Sequence, residues 1–167
     1  MTALNSFDHT PAMDVFQKLR TVYLYPGQLF TASQPILVST ILGSCVAVCL
    51  WDADASLAGI NHYLLPSDPV RGHADLRYGN IAIERLIVEM VSAGAKKARL
   101  VAKLVGGASL LGNAVTTRLS IGDQNVAVAR QALEKHAIPI NAEQTGGQHG
   151  RKLLFHTGNG CADSKEI

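Results

Sequence analysis

The sequence predicts an α/β (α+β) fold in which mixed β-sheets form a sandwich with flanking helices. Three observations support this: apolar, β-prone runs recur along the chain, two segments have the 3.6-residue period of amphipathic helices, and turn residues separate them. The chain has 167 residues, 47% hydrophobic and 17% charged, which suits one hydrophobic core. We therefore expect a single domain at 19–158, with a flexible lead-in at 1–18 and a frayed polar tail at 159–167.

The strands are predicted from β-branched and aromatic runs bounded by turn signals. The segment TVYLYPGQLFTAS predicts a strand, a Pro-Gly turn and a second strand. Further strands are expected at Ile36–Leu42, Cys45–Trp51, Leu57–Leu65 and Arg99–Val105, and in IPINAEQ and RKLLFHT. The strands 45–51 and 57–65 are expected to form a hairpin across the polar turn DADAS.

Two helices are predicted from apolar stripes. The first has Asn80 as its expected cap and Gly94 at its expected end. Its core-facing stripe is Ile83, Leu86, Ile87, Met90 and Val91. The second is expected from about Gln124 to His136, with Val126, Ala129 and Leu133 on one face.

Charge and targeting signals exclude several classes of function. The net charge of +2 is too small to indicate a nucleic-acid or membrane-surface protein. The N-terminal segment lacks the pattern of a signal peptide, and no run approaches the roughly 18 apolar residues of a spanning helix. Three cysteines, an odd number, do not predict a disulfide framework. We expect a cytoplasmic protein, in which a thiol needs a packing or a chemical reason.

Cys45 and His62 are the candidate reactive pair. Cys45 follows Gly43 and Ser44, where a sharp turn could point backbone amides at an oxyanion. If the hairpin turns near Asp54, residues whose numbers sum to 107 or 108 are paired across the two strands. Cys45 is then paired with residue 62 or 63. This register predicts that the thiol and the imidazole lie within hydrogen-bonding range, as a cysteine-histidine dyad requires.

Other interpretations compete with the dyad. A cysteine in an apolar strand is commonly a packed hydrophobe, and a histidine near a strand end is commonly a satisfied structural group. A zinc site of Cys45, Cys49 and His62 is disfavoured, because strand residues four apart are separated by about 13 Å, too far for two ligands of one ion. Cys49 is then expected in the core, and Cys161 without a role.

Loop histidines and glycine pairs are weaker candidates. His73 and His149 could line a cleft, although exposure to solvent is the favoured interpretation. Gly106-Gly107 and Gly146-Gly147 could form phosphate nests, but neither completes a P-loop or dinucleotide fingerprint, which favours tight turns or close backbone approach.

The segments LGSCVAVCLWD and GINHYLLP closely resemble the signature of the CheD family, the chemoreceptor glutamine deamidases of bacterial and archaeal chemotaxis. The resemblance continues through RYGNIAIERLIVEMVSAGA, KLVGGASLL, IGDQNVAVARQALEKHAIPINAEQTGG and RKLLFHTGNG. It covers roughly residues 20–160. It implies a fold similar to that of the cytotoxic necrotising factor deamidase toxins, and a cysteine hydrolase that acts on protein glutamine without a metal or organic cofactor.

The resemblance also implies roles for individual residues. Cys45 takes the place of the nucleophile and His62 that of the base. The family's third residue is a threonine upstream of LGSC, and ungapped matching puts Ser39 there, with Thr40 beside it. Because adjacent strand residues face opposite ways, only one hydroxyl can reach the ring. We favour Ser39, with backbone support from Gly43 and Ser44.

The resemblance implies that the substrates are methyl-accepting chemotaxis receptors. It also implies a partner, a CheC-type chemotaxis phosphatase, which competes with the receptors for binding to the deamidase. Two alternatives remain open. The chain could serve mainly as a regulatory binding module for such a phosphatase, or it could be a thiol amidase or transglutaminase with another acceptor.

Overall fold

The computed structural model describes residues 19–70, 72, 74–111 and 118–167. The expected lead-in at 1–18 lies outside these residues. Two α-helices are described, α1 (Gly79–Ser92) and α2 (Ile121–Lys135), together with a short 3-10 helix at Lys97–Arg99. The strands are β1 (Thr21–Tyr23), β2 (Gln28–Ala32), β3 (Leu37–Leu42), β4 (Val46–Asp52), β5 (Leu57–His62), β6 (Val101–Gly106), β7 (Ile140–Thr145), β8 (Arg151–His156) and β9 (Cys161–Glu166).

The strands form two mixed sheets, which confirms the predicted fold class. The larger sheet has the order β2-β5-β4-β6-β7 and the smaller one the order β1-β3-β8-β9. The β6–β7 and β1–β3 pairs are parallel, and the other pairs are antiparallel. Both helices pack on one face of the larger sheet, whose other face meets the smaller sheet. Among the described residues, neither helix has the length and apolar character needed to cross a membrane.

Alternation along β4 assigns each residue to one of two apolar layers. Val46, Val48 and Leu50 pack in the layer beneath the helices. Ala47 and Cys49 pack in the layer between the sheets, hereafter the inter-sheet layer. Because side chains alternate along a strand, the parity of a residue number shows which layer its side chain enters.

The segment TVYLYPGQLFTAS supplies two strands, as expected, but they belong to different sheets. β1 pairs with β3 of the smaller sheet, and β2 pairs with β5 of the larger sheet. The chain therefore crosses between the sheets, and buried Leu24 lies at this crossing.

Two details of α1 differ from expectation. Asn80 does not cap it: the N-cap is Tyr78, and the helix begins at Gly79, where a Cβ atom would lie 2.5 Å from a Tyr63 ring carbon. Val91 is 44% exposed rather than buried. It lies eight residues beyond Ile83, about 80° around the helix from it, at the edge of the apolar face.

The expectation of a frayed tail at 159–167 is wrong. Cys161–Glu166 forms β9, antiparallel to β8, after a turn in which Gly160 has a φ of +70°. Its polar composition is that of an edge strand with one side open to solvent, and Ala162 packs against the inter-sheet layer.

Candidate active site

Cys45 lies in the loop that passes from the smaller sheet to the larger one. Gly43, Ser44 and Cys45 follow β3 and precede β4. The half-buried Cys45 side chain packs with the inter-sheet layer, on the same face as Ala47 and Cys49. The thiol thus lies where the chain passes from one sheet to the other, beside the inter-sheet layer.

His62 and Thr40 approach the same layer from opposite sheets. His62 ends β5 in line with Ala58 and Ile60, and it is 1% exposed. Thr40 is completely buried on β3, on the face of Val38 and Leu42. The Thr40 Oγ1 atom lies 2.8 Å from His62 Nδ1.

This contact overturns the preference for Ser39 as the hydroxyl that touches the ring. Ser39 shares its strand face with Ile41, which is 48% exposed, so its side chain lies on the outer side of the smaller sheet. Strand parity decides between the neighbours, because only even-numbered β3 residues enter the inter-sheet layer. Ungapped counting from LGSC could not detect this one-residue offset.

The hydrogen bonds of Thr40 determine the tautomer of His62. The Thr40 hydroxyl donates its single proton to the Leu24 carbonyl at 2.7 Å. Its oxygen must therefore accept from the ring, so Nδ1 carries the imidazole proton. Nε2 is then unprotonated, and this buried atom has no hydrogen-bond partner among the described residues.

The predicted hydrogen bond between Cys45 and His62 is absent, because the hairpin register differs from expectation. Paired positions in β4 and β5 sum to 109, as in Cys49↔Ile60, and the bridge Val46↔Tyr63 continues this register. Cys45 therefore faces Leu64. His62 is its diagonal neighbour on the same face, a spacing of about 7–8 Å between Cα atoms. Hydrogen bonds of a catalytic pair are commonly long without substrate and shorten when it binds.

Burial keeps both groups uncharged at rest. Desolvation raises the pKa of the Cys45 thiol, and the residue's own backbone N–H lowers it in part. Desolvation also lowers the pKa of His62 to about 4, although the Leu24 backbone opposes this shift. At neutral pH the pair is a neutral thiol and a neutral imidazole with a free lone pair on Nε2.

The loop before β4 is held by its carbonyl oxygens. The Gly43 carbonyl accepts from Ala108 N at 2.9 Å, and the Cys45 carbonyl accepts from Gly107 N at 2.8 Å. The Ser44 carbonyl accepts from Asn125 Nδ2 of α2 at 2.9 Å. Three consecutive peptide groups are thereby fixed in orientation.

The glycine pairs act as turns and close contacts. Gly106 and Gly107 have φ values of +114° and +70°, and a Cβ at Gly106 would overlap the Cys45 carbonyl. Gly146 and Gly147 also have positive φ values, +78° and +76°. These conformations fit the expected tight turns and close backbone approach.

The remaining candidates lie away from the site. Cys49 is buried in the core as expected, and burial raises the pKa of its thiol. Cys161 is exposed on β9. His149 has a 66% exposed side chain, 3.7 Å from Glu166, whereas His73 lies outside the described residues.

Sequence reasoning missed Asn125 and Leu24. Asn125 had a detectable signal. It precedes Ala129 by four residues and Leu133 by eight, so it is a polar residue within the apolar face of the helix. Leu24 contributes through a backbone carbonyl, and its sequence position gives no sign of this.

The fold and the geometry define a class: a two-sheet sandwich with a thiol, an imidazole and a hydroxyl gathered between its sheets, the set of groups typical of cysteine hydrolases. Within that class, the chain belongs to the CheD family. The family described as CheD chemotactic sensory transduction matches residues 64–166.

Relatives of this family extend the match over most of the chain. A probable chemoreceptor glutamine deamidase CheD of Anaeromyxobacter dehalogenans is 45% identical over 146 residues, 87% of this chain and 84% of the relative. One of Sulfurimonas denitrificans is 41% identical over 138 residues, 83% of this chain and 88% of the relative. The hypothetical protein YfiH of Bacillus licheniformis shares the fold, with a TM-score of 0.53, 14% identity, and coverage of 81% of this chain and 68% of that one.

Proposed function

We propose that this protein is a protein-glutamine deamidase that converts glutamines of chemoreceptors to glutamate. Its relatives are named as probable chemoreceptor glutamine deamidases. The observation that carries the proposal is the contact between Thr40 and His62 Nδ1, which leaves Nε2 as a free base in the layer that Cys45 enters.

The first half of the reaction forms a thioester. As the substrate carboxamide approaches, the Cys45 thiol gives its proton to His62 Nε2, and Sγ forms a bond to the side-chain carbonyl carbon. Backbone amides of the segment Gly43–Cys45 bind the oxyanion of the tetrahedral intermediate. The C–N bond then breaks, and His62 returns the proton to the departing ammonia.

The second half hydrolyses the γ-glutamyl thioester. His62 Nε2 removes a proton from water, the resulting hydroxide attacks the thioester carbon, and the C–S bond breaks. The proton returns to Sγ, and the product is a glutamate side chain. Thr40 holds the imidazole in one tautomer throughout, so that Nε2 alone exchanges protons.

Mass spectrometry tests this function. The chain is incubated with the cytoplasmic part of a chemoreceptor from the same genome, and each converted glutamine should add about one dalton and release one ammonia. The Cys45→Ala variant should give neither signal while keeping the circular dichroism of the parent. An unchanged receptor mass with folded parent protein would contradict the proposal, and incorporation of an added amine would indicate a transglutaminase.

The family resemblance supports a cytoplasmic location and a CheC-type phosphatase as a further partner. An excess of such a phosphatase should slow deamidation by competing for the same surface. If the phosphatase binds while receptors gain no mass, the chain acts as a regulatory module instead of an enzyme.

A further inference from the structure

Asn125 of α2 bridges the two segments that carry Cys45 and His62. Its Nδ2 atom donates to the Ser44 carbonyl at 2.9 Å and to the Leu64 carbonyl at 2.8 Å. These carbonyls lie just beyond Val46↔Tyr63, where the β4–β5 ladder ends. The side-chain amide thus supplies the Ser44 carbonyl with the hydrogen bond that a continuing strand pair would give it, and it ties the Leu64 carbonyl to the same point.

The orientation of this amide follows from its surroundings. Asn125 is fully buried, and its Oδ1 atom has no partner among the described residues. Reversing the amide would set Oδ1 against two carbonyl oxygens, so both N–H groups must face them. The Tyr63 hydroxyl also donates to the Asn125 backbone carbonyl, which attaches this turn of α2 to the end of β5.

The bond to Ser44 determines where the next amide points. In a trans peptide the C=O and the following N–H point in opposite directions. The Ser44 C=O is directed to α2, on the helix side of the larger sheet, so the Cys45 N–H is directed to the inter-sheet side, where the thiol packs. The effect of this N–H on the pKa of the Cys45 thiol agrees with that direction.

We propose that Asn125 is a positioning residue that orients the Ser44–Cys45 peptide, so that the Cys45 N–H donates to the oxyanion formed when Cys45 attacks an acyl carbon. This inference rests on the proposed role of Cys45 as nucleophile. Because the oxyanion exists only beyond the ground state, loss of Asn125 should lower kcat and leave KM nearly unchanged.

Two thiol reactions separate this role from a general structural one. Acylation by p-nitrophenyl acetate passes through an oxyanion, whereas alkylation by iodoacetamide does not. The rates of both reactions are measured in a Cys161→Ser background. Cys45 is then the accessible thiol, because Cys49 is buried. Asn125→Asp removes the donors with almost no change of shape, and Asn125→Leu removes them without adding charge.

We expect both variants to lose tenfold or more in acylation rate, since removing an oxyanion donor outright costs about 10²–10³. Alkylation at a pH above the thiol pKa should stay within about threefold of the parent rate. Leu133→Ala is the matched control: this fully buried residue lies two turns further along α2, so its loss should lower the melting temperature without changing either rate.

The outcomes are distinct. Parent-like acylation in either folded variant overturns the proposal, and so does an equal fall of acylation and alkylation, which would show a general distortion of the loop. If the parent fails to deamidate receptors but its acylation depends on Asn125, the proposed function fails while the positioning role stands.

Discussion

The two ends of the β4–β5 pair bury polar groups in opposite ways. At the turn end, Asp52 is fully buried and receives hydrogen bonds from the Arg99 guanidinium and from the backbone N–H groups of Lys96 and Ala55. At the open end, His62 is almost as buried, yet its Nε2 has no partner among the described residues.

The two ends also favour opposite charge states of their buried side chains. The hydrogen bonds from Arg99 lower the pKa of Asp52 to about 2, so the charged form is favoured. At the open end, desolvation favours the neutral forms of Cys45 and His62. Leaving a buried donor or acceptor unpaired costs about 1–3 kcal/mol. One strand pair thus has an end at which the buried polar group is fully paired and an end at which a buried ring nitrogen is left unpaired, a local cost to stability that is typical of functional sites.

His62→Ala should have the largest effect on the open end. General acid-base groups contribute about 10²–10⁴-fold, and we expect kcat to fall by that factor. In the proposed mechanism the base is neutral His62, whose pKa is lowered to about 4. The kcat/KM of the parent should therefore stay constant below pH 6.5 and decline only near pH 4. A pH-rate profile of folded protein measures this.

The control for His62 is His149→Ala, which removes an exposed loop imidazole and should leave the profile unchanged. An acid limb that persists unaltered in the His62→Ala variant would remove His62 from the proton-transfer steps.

Thr40→Val should have the next largest effect on activity. It removes the hydroxyl that contacts the ring, and a lost buried partner costs about 1–3 kcal/mol, or roughly fivefold to 150-fold in rate. Ser39→Ala is the matched control on the opposite strand face and should remain within twofold. Equal loss in both variants, or loss in Ser39→Ala alone, would contradict the assignment by strand parity. Steady-state deamidation rates decide it.

Asp52→Asn tests the turn end, where the effect should fall on stability. The folded pKa is about 2 against an ordinary 3.8, so the charge contributes about 2 kcal/mol of unfolding free energy at neutral pH. This contribution is present above about pH 4 and lost as the pH falls through 2. Urea unfolding of parent and variant should therefore differ at pH 7 and converge in acid.

Asp54→Asn is the control for Asp52. Its carboxylate lies 3.6 Å from the same Arg99 but is 74% exposed, so its removal should cost less than about 0.5 kcal/mol. Deamidation should be unaffected in both variants. If the unfolding free energies of the parent and Asp52→Asn differed by the same amount at pH 2 as at pH 7, the lowered pKa of Asp52 would not be the cause of the difference.

Cys49→Ala should have the smallest effect and separates the two thiols of the β4 region. Removal of a buried sulfur should cost on the order of 1 kcal/mol, with activity retained. Cys161→Ala, on an exposed edge strand, should change neither property. Loss of activity in Cys49→Ala at full stability would reassign the nucleophile.

Local patterns in the sequence determined most of the fold and the main candidate site residues. Strand runs, the α1 stripe and turn residues depend on near neighbours, and these expectations largely match the structure. Cys45 and His62 were identified because Gly-Ser-Cys and the histidine on the next strand are local features. The errors at Asn80 and Val91 are small shifts within a correctly predicted helix.

Tertiary structure decided the features that require contact between segments far apart in the sequence. The polar segment after Asn159 forms β9 only because it can pair with the edge of β8. The choice of Thr40 over Ser39 depends on which face of β3 meets the larger sheet. The contacts of Asn125, and with them its proposed role, depend on α2 lying over the end of the β4–β5 ladder. A sequence records which side chains alternate, but the packing of sheets and helices determines which side is covered, because burial is a property of the assembled layers.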